Sequence, residues 1–231
     1  IEALWIADRI DKTLDRDSRA QVAILYRTNS QSRQIEEALR RYGRKYTVVG
    51  GLSFYNRAEI KDSLSYLKLV MNPGDSIALL RVVNTPARGI GKTTMDQVDQ
   101  YAQGKKISLW QSIEELIAAH SLGSRAEAAL DAFRKMILEL REDLETKSVE
   151  ELLRSLLART GYTKSLENNP IPENEGRIAN LLELINAAAE AAERGESIGD
   201  FLDHAALVSD ADQVNAVSYT HLRAHETKAN L

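Results

Sequence analysis

The chain has 231 residues, with 30 Lys and Arg against 34 Asp and Glu, a formal net charge of −4 and 43% hydrophobic residues. It contains no cysteine, which excludes disulfides and thiolate metal sites and fits a reducing, cytoplasmic setting. The slight acidity gives no general attraction to nucleic acid, so any such contact must come from local basic patches. His120, His204, His221 and His225 are scattered rather than clustered as ligands, and no apolar run approaches the roughly 20 residues of a membrane span.

Ile1 to Leu14 carries Leu4, Ile6 and Ile10 at helical spacing and predicts an amphipathic helix, which the polar run Asp15-Arg16-Asp17-Ser18 ends. Val22-Ala23-Ile24-Leu25-Tyr26 is a short continuous apolar run, as expected of a strand buried on both faces of a parallel sheet. A helix over Gln31 to Tyr42 follows, stopped by Gly43, and Tyr46-Thr47-Val48-Val49 reads as the next strand. Strand, helix, strand predicts a βαβ unit. Beyond it the pattern turns almost wholly helical, over residues 57–70, 77–83, 95–103, 109–119, 124–146, 148–160, 176–193 and 197–209. Ser148 with Glu151 forms a capping box. The Leu and Ile stripes (Leu130, Phe133, Ile137, Leu140; Leu152, Leu156; Leu181, Leu184) and Trp110 are expected in the core. The fold class expected is therefore an α/β fragment, a partial parallel sheet, followed by an all-α subdomain, the change falling near residue 72. Arg57, Glu59, Lys61 and Asp62 alternate in sign and predict an internal ion-pair network.

Thr85-Pro86-Ala87-Arg88-Gly89-Ile90-Gly91-Lys92-Thr93-Thr94 is the stretch with the most chemistry. Two glycines around one apolar residue permit a tight turn with outward N–H groups, and a helix start behind it adds unpaired amides and partial positive charge. A nucleotide phosphate loop is excluded by spacing: the position that needs glycine is Pro86, which has no N–H. A dinucleotide fingerprint fails because its third glycine would fall at Thr94. Two readings stay open: a cradle for a nucleic-acid backbone, or a plain turn between helices with an incidental lysine.

Ala23 to Arg33, Gly50 to Asp62, Val83 to Gly91, Glu175 to Leu184 and Phe201 to Leu207 resemble, in order, segments of the UvrD/PcrA/Rep group of superfamily 1 DNA helicases. The resemblance runs from about Ile1 to Asp212. It implies that residues 1–72 are part of the second RecA-like domain and residues 73–212 its helical insertion. The parent protein would be an ATP-dependent 3′→5′ DNA helicase working in repair or replication restart, using ATP and Mg²⁺. Its partners would be single-stranded and duplex DNA, and repair or replication proteins through the insertion, with no membrane.

The same resemblance implies site residues. Thr28 and Asn29 would contact the single strand, and Ser53, standing where relatives can carry Lys, would lie near the same strand. Phe54 and Tyr55 offer rings that can stack on bases, with core packing the competing use of at least one. Arg88, Gly89, Ile90, Gly91, Lys92 and Thr93 would hold the duplex backbone. No catalytic residue, bound cofactor or metal ligand is expected in this chain, because the family's phosphate loop and acidic pair have no counterpart in it, and hydrolysis needs them together. The chain alone is thus expected to be inactive. The competing expectation is a non-enzymatic helical DNA-binding or interaction module. Residues 213–231, including His221 and His225, depart from the family pattern and are expected to be a non-native tail.

Overall fold

The computed structural model describes residues 2–209, so the expectation for the 213–231 tail lies outside the described residues. The chain forms two compact units, one from residues 2–57 with 203–209 and a second, Ala58–Leu202.

In the first unit α1 (Glu2–Arg16) packs on α2 (Ser32–Arg41). Ala7 and Ile10 of α1 meet Ala38 and Leu39 of α2, with Ile6, Leu14, Ile24, Ile35 and Tyr46 against them. Gly43, at φ 66°, ends α2: its amide and that of Arg44 turn back to Arg40 and Leu39, which satisfies terminal carbonyls with a residue free to adopt a left-handed conformation.

The expected partial parallel sheet is not formed. Residues 20–26 and 44–48 run without regular structure, and no strand occurs among the described residues. These segments line a cavity of about 1030 Å³. Leu25 and Val49 are 96% and 91% exposed, whereas a parallel strand is stable only with both faces covered and a backbone ladder on its edges. An apolar run specifies what a strand would bury, not which backbone would pair with it, and no described segment lies in ladder register with either run.

The second unit is helical, as expected: α3 (Ala58–Met71), α4 (Ser76–Val82), α5 (Lys92–Lys105), α6 (Leu109–Ala118), α7 (Ser124–Glu142), α8 (Val149–Thr160), α9 (Tyr162–Glu167) and α10 (Pro172–Glu193). α11, residues 198–209, continues from this unit into the first. α3 packs on α4, α7, α8 and α10, and α5 pairs with α6. The expected stripes are buried, from Leu130, Phe133, Ile137 and Leu140 to Leu152, Leu156, Leu181 and Leu184, and Trp110 joins them.

Burial of the charges on α3 is matched by partners. Asn180 donates to Glu59 at 2.6 Å and Tyr162 to Asp62 at 2.6 Å. Arg81 pairs with the same Asp62 at 2.7 Å. Such groups are costly when any one partner is missing. They tie α3 to α4, α9 and α10. The expected capping box forms at α8, where the Ser148 amide donates to Glu151 at 2.9 Å and holds that carboxyl below its usual range.

Candidate nucleic-acid interface

The segment between α4 and α5 is held from inside. Asp75 caps α4, accepting the Ala78 amide at 2.9 Å. Past α4, the Asn84 side-chain oxygen accepts from the amides of Arg88 (2.7 Å) and Ile90 (3.2 Å), drawing the chain into a tight loop. Ile90 is 2% exposed and anchors the loop in the core. Gly89 sits at φ 79°, where a side chain would be strained.

Two of the turn's amides are therefore taken by protein. Those of Gly89, Gly91, Lys92 and Thr93 have no partner among the described residues, and these four residues are exposed. Gly91 stands at the N-cap of α5 without a side chain to close the helix start, so the orphan donors face solvent. Lys92 meets Asp96 at 2.8 Å with its side chain 88% exposed. An ion pair so exposed contributes little and leaves the ammonium able to swing to another anion.

Arg88 turns inward. Its guanidinium donates to the carbonyls of Val82 (3.2 Å), Pro86 (3.0 Å) and Thr160 (3.2 Å). It lies between two rings, 5.7 Å from the Tyr66 centroid and 5.6 Å from that of Phe133. The Tyr66 hydroxyl reaches the carbonyls of Val82 and Thr85. Lys105 is engaged too, by Glu115 at 2.7 Å and by the Tyr101 ring.

Burial pushes the Tyr66 pKa from 10.0 up to about 12, against the opposing charge of Arg88. The unfolded chain releases this proton near pH 10, the folded chain only near 12. Stability from this group is complete below pH 10 and falls as pH rises through 10 to 12, by up to about 1.4 kcal/mol per pH unit. Tyr162 is raised as well, chiefly by burial and then by Asp62, and adds to the fall. Urea-unfolding midpoints across that interval should drop less steeply for Tyr66→Phe than for the unsubstituted chain; an equal slope would contradict the burial argument.

In the first unit Thr28 and Asn29 are exposed at the entry to α2. The Gln31 side chain accepts the amides of Arg27 (3.0 Å) and Thr28 (3.1 Å). Ser53 and Phe54 are 8% and 0% exposed. Ser53 accepts from Asn56 at 2.8 Å, and the Phe54 amide donates to Glu36 at 3.2 Å. The Phe54 ring packs edge-on against Tyr55, at 5.1 Å and 87°, beneath Arg57. In this conformation it has no face open to a base.

Arg57 joins the two loops. It donates to the Asn29 carbonyl at 2.8 Å, to Ser32 at 2.7 Å and to the Leu52 carbonyl at 3.4 Å. The sequence reading missed Asn84 and this bridging role of Arg57. Asn84 carried a usable signal, since an Asn before Thr-Pro commonly shapes a turn through its own carboxamide; the Arg57 contacts to Asn29 and Ser32 span 28 and 25 residues and leave no local trace.

No described helix is long and apolar enough to cross a membrane. The UvrD-like helicase C-terminal domain family matches residues 1–220. The chain is 37% identical over 218 residues to the ATP-dependent DNA helicase PcrA of Bacillus subtilis, covering 93% of this chain and 29% of that protein. It is 36% identical over 220 residues to DNA helicase II of Escherichia coli, covering 93% of this chain and 31% of the relative. The chain thus spans less than a third of the length of these relatives. With a match over nearly its whole length, the chain belongs to the UvrD-like helicase C-terminal domain family.

Proposed function

We propose that the chain is the part of an ATP-dependent 3′→5′ DNA helicase that grips duplex DNA and lines part of the single-strand track, in repair or replication restart in the cytoplasm. Residues 1–72 would be part of the second RecA-like motor domain and 73–212 its helical insertion, with repair or replication proteins as partners of the latter. The observation that carries this reading is the Gly89–Thr93 turn: exposed glycines, amides without partners among the described residues and an exposed lysine, in a chain of a helicase family. Donors of this kind hold phosphates and carry no base information. Ile90 shapes the turn from the core, and Thr28 and Asn29 are the exposed candidates on the single strand. Ser53 and Phe54, being buried, would act by supporting that loop.

ATP and Mg²⁺ belong to the parent enzyme in this proposal. Pro86 stands where a phosphate loop needs glycine. No hydrolytic step is assigned to this chain.

Binding of a duplex with a 3′ single-stranded tail, followed by fluorescence anisotropy at low salt, tests the reading. The double variant Gly89→Ala, Gly91→Ala should bind more weakly, because an Ala at φ 79° is strained and reshapes the amide array. Lys92→Glu should bind more weakly still, through charge reversal. Unchanged affinity in both would remove the turn from the interface.

A further inference from the structure

With Arg88 turned inward, the Gly89 turn draws its strong cation from another helix. Arg125, the second residue of α7, lies against the glycine: a Cβ placed on Gly89 would stand 3.9 Å from its Nη2 and 4.0 Å from its Nε. Arg125 is exposed and has neither a hydrogen-bond nor an ion-pair partner among the described residues. Every other arginine of the helical unit, from Arg81 to Arg194, holds a carboxylate or a carbonyl.

We propose that Arg125 binds a phosphate of the duplex backbone at the Gly89 turn, supplying the outward charge that Arg88 does not. This rests on the reading of the turn as a duplex contact. A guanidinium beside outward amides presents donors and no acceptor, a combination suited to an anion. Its planar fork can take two oxygens of one phosphate, which a lysine cannot. No carboxylate among the described residues pairs with it, so binding breaks no ion pair among them.

Each phosphate neutralised contributes about 0.9 to the steepness with which log K falls against log salt. Anisotropy titrations of the 231-residue chain with the tailed duplex, over a series of salt concentrations, read that slope. Arg125→Gln should make it shallower by about 0.9 and weaken binding at low salt. Arg125→Lys should keep the slope and bind less tightly than the unsubstituted chain. Arg154→Gln, whose partner is Glu150 on α8, should behave as the unsubstituted chain. Because Arg125 has no partner among the described residues to lose, the two Arg125 variants should melt at the same temperature as the unsubstituted chain. If Arg125→Gln leaves the slope unchanged while Lys92→Glu still weakens binding, the Arg125 assignment alone is overturned. A loss of affinity without a change of slope overturns it equally. If the unsubstituted chain does not bind, the reading of the turn falls and this inference with it.

Discussion

Arg88→Met should lower the free energy of unfolding of the helical unit by about 3 kcal/mol, read from urea denaturation of the full chain. Methionine fills much of the slot between Tyr66 and Phe133 but donates nothing, so the carbonyls of Val82, Pro86 and Thr160 lose a charged donor together. Hydrogen bonds to a charged group contribute about 1.5–3 kcal/mol each, and relief from desolvating the guanidinium offsets part of the sum. Arg88→Lys should fall between the two, since one ammonium cannot span both ends of the site. Tailed-duplex affinity should drop in Arg88→Met because the turn loses its strut, while the salt slope stays put because no phosphate contact is removed. A variant of full stability with a shallower slope would mean that Arg88 reaches outward to DNA.

The helical unit was legible because its signals are local. α7 and α8 repeat large apolar residues every three or four positions, and Ser148 with Glu151 marks a helix start by a contact three residues long. α9 escaped notice because its six residues after Gly161 bury only Tyr162 and Leu166, too short a pattern to rise above a loop. The sheet failed for the opposite reason. Residues 22–26 and 46–49 are rich in strand-forming residues, but a strand exists only where a second backbone satisfies its amides, and hydrophobic period carries no information about that partner.

The candidate site shows the same division. Glycine at positive φ and an uncapped helix start are properties of consecutive residues, so the Gly89–Lys92 turn stood out from the sequence. The direction of a long side chain is not such a property. Arg88 and Lys92 looked equivalent as flanking cations, yet one enters an aromatic slot built by α3 and α7 while the other stays in solvent. Arg125 comes to Gly89 from a different helix, a proximity that no run of consecutive residues encodes.

The Asn29 loop depends on a similar internal strut, and Arg57→Ala should expose it. Arg57 is 8% exposed and gives its donors to the buried Ser32 hydroxyl and to the Asn29 and Leu52 carbonyls, so truncation removes one charged donor from three acceptors at a cost on the order of 3 kcal/mol. The loss should be local before it is global. Amide exchange should accelerate over residues 28–32 and 52–54, the two segments the guanidinium joins, while α7 and α8 keep their protection. Because Arg57 holds the backbone of Asn29 and leaves its exposed side chain free, the variant should bind a single-stranded oligonucleotide more weakly. Its salt dependence on a blunt duplex should match that of the unsubstituted chain, since the Gly89 turn and Arg125 are untouched. Arg57→Lys keeps the charge but not the fork, and should restore only part of the protection. If exchange over 28–32 were unaltered in Arg57→Ala, the loop would be held by α2 alone, and Arg57 would have no part in presenting Asn29.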